Sequence, residues 1–192
     1  MGRSVRGTEI QLLVEELQLD SAVAYQTTGS GGRQPVWIPY GAVGDRVRVR
    51  LAGRSRGGHD ARLLELLEAS PERLPARCRH FGRCGGCLWQ HVSYASQVAL
   101  KEQLVERCLS QWIGPHTMRL PLAQAPSQWE YRSRMDYTFA QRGEERRLGM
   151  RERGSSWRIE ELQECHLTPH CIMACSPPPA SMISLPGRSI RW

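Results

Sequence analysis

The chain has 192 residues, of which 40% are apolar and 23% charged, enough for one ordinary domain or two small ones. No run approaches the roughly 18 apolar residues of a membrane span. The basic start at Arg3 and Arg6 runs into Glu9, Glu15 and Glu16 rather than the apolar core of a signal peptide, so the cytoplasm is the expected compartment. A net charge of +7 favours an acidic partner, nucleic acid being the commonest. Lys101 is the one lysine among 26 basic residues; that bias suits phosphate recognition and equally follows from GC-rich coding.

In chain order, residues 8–70 read as a small β-rich unit. Residues 10–19 and 61–67 are rich in Leu and Glu and have helical propensity. Val36-Trp37-Ile38 reads as a strand, and Gly29-Ser30-Gly31-Gly32 as the turn before it. Arg46-Val47-Arg48-Val49-Arg50-Leu51 alternates strictly, which places three arginines on one face and three apolar side chains on the other. Several short strands joined by glycine turns suggest an OB-like barrel. Trp37 and Tyr40 are candidate stacking residues for nucleic acid.

A loop-like stretch over 75–91 follows, and Ser93 then caps a helix. Its apolar stripe is Leu100, Leu104, Val105, Cys108, Leu109 and Trp112, and Gly114-Pro115 stops it. On that stripe Cys108 is expected to be a packed core thiol. Residues 128–140 alternate again, with Trp129, Tyr131, Met135, Tyr137 and Phe139 on one side and Glu130, Arg132, Arg134, Asp136 and Thr138 on the other. A turn at Gly143-Glu144-Glu145 and strands at Leu148-Gly149-Met150 and Trp157-Arg158-Ile159 complete an antiparallel sheet. Beyond Cys175 the pattern collapses; residues 176–192 contain three consecutive prolines and no periodicity, and are expected to be unstructured.

The seven cysteines are an odd number without a secretory signal, which argues for metal rather than a disulfide framework. Cys78, Cys84 and Cys87 form a C-x5-C-x2-C array in which Gly85 and Gly86 let the backbone turn tightly between ligands. A tetrahedral zinc or a [4Fe–4S] cluster needs a fourth donor. Cys165, Cys171 and Cys175 are candidates, as are His80, His91, His166 and His170; spacing alone leaves cluster, zinc and unligated thiols open.

Cys78-x5-Cys84-Gly85-Gly86-Cys87-x2-Gln90-His91, followed by Tyr94-x2-Gln97-x3-Lys101, resembles the cluster segment of RNA (uracil-5-)-methyltransferases, with the closest likeness to the 23S ribosomal RNA enzymes. Tyr131-Arg132-x-Arg134-Met135 and Leu148-Gly149-Met150-Arg151 resemble the next blocks of that family, and residues 159–165 the segment carrying its fourth cluster cysteine. The resemblance implies a mainly β chain with one or two helices. Residues 1–70 would form a TRAM barrel that binds RNA, with residues 10–19 and 61–67 as strands against their propensity. Residues 71–175 would be an incomplete central domain holding a [4Fe–4S] cluster on Cys78, Cys84, Cys87 and Cys165, and 176–192 an unrelated tail.

Ribosomal RNA is the implied partner, with Arg46, Arg48, Arg50, Arg132 and Arg134 as candidate contacts; no protein partner is evident. Nothing in the sequence resembles the family's S-adenosylmethionine domain or the setting of its cysteine nucleophile, so no catalytic or S-adenosylmethionine-binding residue is assigned. The chain is expected to be a truncated family member without activity of its own. A stand-alone RNA-binding module and a zinc-stabilised protein–protein adaptor are the competing readings.

Overall fold

A computed structural model describes residues 6–29, 31–142, 145–169 and 189–191. Among the described residues the chain is mainly β with one helix, and these residues fall into two compact units. One comprises residues up to Pro75 together with His91–Ala123; the other comprises Ala76–Gln90 together with residues from Gln124 onward.

The first unit is a closed five-stranded barrel. β1 (Glu9–Leu17), β2 (Ala22–Thr27), β3 (Arg33–Ile38), β4 (Arg46–Ser55) and β5 (Gly58–Glu68) are arranged in the order β1-β2-β3-β5-β4, with β4 pairing back onto β1. All neighbours are antiparallel except β3 and β5, which close the barrel in parallel through Val36↔His59 and Trp37↔Asp60. Residues 10–19 and 61–67 are therefore largely strand. Val14, Ala22, Ala24, Val36, Ile38, Val47, Val49, Leu51 and Ala61 fill the interior, and Ile10, Leu12, Leu17 and Leu63 pack against it. Burial at period two outweighs helix propensity here, because a helix over either segment would leave the barrel without a wall.

Asp45, fully buried, clasps the barrel end. Its carboxylate accepts from the Ala42 N–H at 2.6 Å, from the Ser70 N–H at 3.0 Å and from the Arg73 guanidinium at 2.6 Å. Arg73 also donates to the Tyr40 carbonyl at 2.6 Å, which helps to hold Tyr40 at a φ of +64°. Burial pushes the Asp45 carboxyl up, but these donors together outweigh it and hold the group below the ordinary carboxylate value.

From the same turn the Leu74 N–H donates to the His91 carbonyl, and Arg73 bridges Val92. The helix α1 (Tyr94–Leu109) thus groups with the barrel unit. Its cap is as expected: Ser93 Oγ accepts from the Ser96 N–H at 3.1 Å. Its stripe is not. Val98 and Leu100 are buried, whereas Val105, Leu109 and Trp112 are exposed, and Cys108 is an exposed thiol rather than a packed one.

The second unit holds a four-stranded sheet in the order β8-β7-β6-β9, built from β6 (Asp136–Arg142), β7 (Glu145–Arg151), β8 (Ile159–Glu160) and β9 (Ser189–Arg191). Met135, Tyr137, Phe139, Ile159 and Leu167 are its buried apolar residues among those described. The strand expected from residue 128 begins only at Asp136. Glu130 has a φ of +57°, and it and Arg132 bond instead to the carbonyls of His166 and Leu167, so the alternation breaks and Tyr131 is exposed. The expected turn at Gly143 and Glu144 lies outside the described residues. So does most of the 176–192 tail, but residues 189–191 are not unstructured: they pair antiparallel with β6. β-Branched Ile190 between Ser189 and Arg191 suits an open sheet edge, which otherwise leaves backbone donors and acceptors unpaired.

Candidate functional site

Cys78, Cys84, Cys87 and Cys165 line one small, mostly apolar cavity in the second unit, together with Phe81, Met135, Met150, Leu162 and Leu167. Three of the thiols come from the loop over 78–87 and the fourth from the segment after β8. None is in a disulfide. Burial pushes the Cys78 and Cys84 thiols up, and pushes Cys87 up to about 11; negative charge on the neighbouring cysteines adds to each. Three thiols whose ionisation is opposed by burial and by a neighbouring cysteine are an arrangement that a bound cation would relieve.

The loop is fixed by polar contacts, some of which reach its sulfurs: the Gly86 N–H donates to Cys84 Sγ at 3.4 Å. The Cys78 N–H donates to Gln90 Oε1 at 3.0 Å, and Gln90 also bonds the Cys87 thiol. His80, 2% exposed, has Nδ1 at 2.8 Å from Glu160 Oε1 on β8, while its Nε2 accepts from the Gln163 N–H at 3.2 Å. This assigns the tautomer: Nδ1 carries the proton and donates to the carboxylate. Arg83 completes the group with a 2.8 Å ion pair to Glu160. Gly85 N–H donates to the Arg151 carbonyl at 2.9 Å, and a Cβ on Gly85 would come within 2.8 Å of that oxygen, so only glycine fits. Arg153 N–H donates to the Arg83 carbonyl at 3.1 Å. The cysteine loop is in effect stitched to the end of β7.

Among the alternative donors, His80 is consumed by Glu160 and Gln163. His91 lies in the other unit, bonded to the Gly41 carbonyl. His166 rests edge-on against Trp129 and 3.6 Å from Glu164. His170, Cys171 and Cys175 lie outside the described residues. Among the described residues, no group of three or more His, Cys, Asp or Glu side chains meets the geometry for a single metal ion. A lone zinc would require thiolates about 2.3 Å from one point. The cavity does bring together the four sulfurs expected as ligands, and an all-sulfur donor set around an apolar pocket suits iron–sulfur chemistry.

The expected RNA-contacting arginines are less free than the alternation suggests. Arg46 pairs with Glu68 at 3.4 Å, Arg48 with Glu65, and Arg50 with Glu9 at 2.6 Å, a cross-strand ladder that cancels most of the charge on that barrel face. Arg134 pairs with Asp136 at 3.0 Å. Arg132 lines the cysteine cavity instead of sharing a strand face with Arg134, where its cation would offset an all-thiolate centre. The face of Trp37 is covered by the Arg56 guanidinium, 4.5 Å from the ring centre, and Arg56 is held in turn by Asp20 at 3.0 Å. Gln90, Glu160 and Gln163 were missed as supports of the site; only Gln90 had a signal, its place in the C-G-G-C-x2-Q block.

No protein-family model matches the chain. Three relatives define its kinship. A tRNA (uracil(54)-C(5))-methyltransferase from Pyrococcus horikoshii is 34% identical over 71% of this chain and 31% of its own length. A 23S rRNA (uracil(747)-C(5))-methyltransferase from Pyrococcus abyssi is 33% identical over 71% of this chain and 31% of its own. An uncharacterized RNA methyltransferase from Clostridium tetani is 30% identical over 84% of this chain and 35% of its own. The crystal structure of the Pyrococcus abyssi tRNA (uracil-54, C5)-methyltransferase in complex with S-adenosyl-L-homocysteine shares the fold. Its TM-score is 0.56 at 21% identity, covering 85% of this chain and 34% of that one. The chain is thus similar in sequence to part of several RNA methyltransferases. More narrowly, its named relatives methylate uracil C5, and it spans about a third of their length.

Proposed function

We propose that this chain is the RNA-engaging, cluster-holding portion of an RNA uracil-C5 methyltransferase. The observation that carries the reading is the convergence of Cys78, Cys84, Cys87 and Cys165 on one cavity, in a chain whose homologues modify uracil in RNA. These four thiolates would hold a [4Fe–4S] cluster, whose contribution here is a cross-link between the 78–87 loop and the segment after β8. Gln90, His80 and Glu160 hold the loop in register for it, and Arg132 offsets the charge of the thiolates. Reduced, buried thiols of this kind fit a cytoplasmic location.

Transfer of a methyl group to uracil C5 needs a thiolate to attack C6 and a base to remove the C5 proton. No residue of this chain is assigned either role, and none is assigned to binding S-adenosylmethionine. What the chain contributes is RNA binding through its barrel and its arginines, with Arg46, Arg48, Arg50 and Arg134 as candidates once RNA phosphates displace their exposed carboxylate partners. Each such surface pair is worth about 0–1 kcal/mol, so exchange is cheap. Ribosomal RNA is the proposed substrate, and tRNA is the competitor that the relatives put beside it.

Anaerobic purification followed by iron and sulfide quantification is the test of the centre. About four of each per chain and a broad absorbance near 400 nm (roughly, for thiolate-bound clusters) are expected; stoichiometric zinc that resists reconstitution would favour the adaptor reading. Binding of labelled ribosomal RNA and tRNA fragments across a salt series tests the partner. Formation of 5-methyluridine from labelled S-adenosylmethionine by the 192-residue chain alone would show that the catalytic groups lie within it.

A further inference from the structure

Arg46, Arg48 and Arg50 of the barrel each face a carboxylate, whereas the β7–β8 hairpin carries an excess of arginine. From Glu145 to Arg158 it carries five arginines and two glutamates. Arg151 is exposed and makes no ion pair among the described residues. At the tip, Trp157 is 64% exposed, far more than its bulk would leave in a packed setting. Arg158 lies over the Trp157 ring at 5.6 Å and is itself oriented by Glu152 at 2.7 Å, so the indole is presented on one face and backed by a cation on the other. Beside the tip is an open groove of about 400 Å³ lined by Arg151, Glu152 and Arg153 of the hairpin and the sheet residues Asp136 and Thr138, with Glu152 turned to Arg158. Its wall includes Gly85 of the cysteine loop.

We propose that this hairpin is a contact surface for single-stranded RNA, with Trp157 stacking on an unpaired base and Arg151, Arg153 and Arg158 meeting the phosphates. Asp136 and Thr138 in the groove offer acceptors to base-edge donors. An exposed indole with a π-face free gains from any base, whereas a paired base offers its face only at a helix end. Because the cysteine loop is bonded to the hairpin through Gly85 and Arg153, filling the cysteine site stiffens the platform. The inference rests on the reading of the chain as RNA-binding, and the experiment separates the two.

The whole chain, purified anaerobically, is titrated into a fluorescein-labelled oligouridylate of about twelve nucleotides at several salt concentrations. Trp157→Ala is expected to weaken binding about tenfold with the salt slope unchanged, and Trp157→Phe to retain most of it. Arg151→Gln is expected to lower the slope by about 0.7. RNA should quench tryptophan fluorescence in the wild type and less in Trp157→Phe, and melting of every variant should match the wild type. If Trp157→Ala and Arg151→Gln both bind like the wild type, or if duplex RNA of the same length competes equally, the hairpin assignment is overturned while RNA binding stands. A wild-type chain that binds neither this oligomer nor ribosomal or transfer RNA overturns the RNA reading itself.

Discussion

The barrel encloses nine buried apolar side chains in a wall that closes on itself, whereas the sheet of the second unit buries Met135, Tyr137, Phe139, Ile159 and Leu167 among its described residues and leaves a cysteine loop on its flank. Burial of apolar surface at about 25 cal/mol per Å² is the barrel's source of stability. Where less apolar surface is buried, a cross-link adds most, as small domains generally show. On the proposed reading the cysteines would supply one once a cluster is bound, and metal would then couple to the folding of one unit and be a bystander in the other.

The largest effect should come from the ligands. Cys87→Ala or Cys165→Ala is expected to abolish the visible chromophore and the melting transition of the second unit, with the barrel transition unmoved; differential scanning calorimetry of loaded protein reads both. A single transition shifted as a whole would mean that the two units do not melt independently. Next is the clasp of the barrel: Arg73→Ala leaves Asp45 buried without its cation and should cost about 3 kcal/mol, read as a lower urea midpoint for the barrel alone.

The same carboxyl sets an acid limit. Its pKa is depressed in the folded state, so its contribution is complete above the unfolded value of about 3.9 and is lost as the pH falls through the lower folded value. Urea denaturation from pH 6 down to pH 2 should show this in the wild type and not in Asp45→Asn. Smaller still is Ser93→Ala, which removes the helix cap and should cost about 1 kcal/mol. Smallest is the arginine ladder. Replacing Arg46, Arg48 and Arg50 with alanine should cost less than about 1 kcal/mol each, so a loss of RNA affinity in the triple variant would be separable from unfolding.

Local pattern revealed β4, the Ser93 cap and the cysteine array, because each depends on residues adjacent in the chain. The strand character of residues 10–17 and 61–67 did not follow from propensity, since Leu and Glu favour helix and only barrel closure overrides them; the family resemblance supplied it. Residues 128–135 alternate as a strand would, yet a single left-handed residue at Glu130 redirects them. Cys108 was misplaced because helical spacing identifies a stripe but not what lies over it. In the site, the spacing marked Cys78, Cys84 and Cys87 and the resemblance singled out Cys165, which shares their cavity, while the Glu160 support was not visible: His80 and Glu160 are eighty positions apart, and nothing in either segment alone marks the partnership. The carboxylates opposite Arg46, Arg48 and Arg50 were hidden for the same reason, since register decides which strand neighbours meet.

The parallel seam between β3 and β5 is short, and it meets Pro35, which has no N–H to give. A Cβ on Gly58 would lie 2.0 Å from the Pro35 carbonyl oxygen, so the two backbones touch only because that carbon is missing. Gly58→Ala would prise the seam apart and turn a cylinder into a curled ribbon with two raw margins. Each margin would offer its backbone groups to the same strand of another molecule. The expected result is slow, concentration-dependent association visible by light scattering, from a substitution that removes no contact and adds one methyl group.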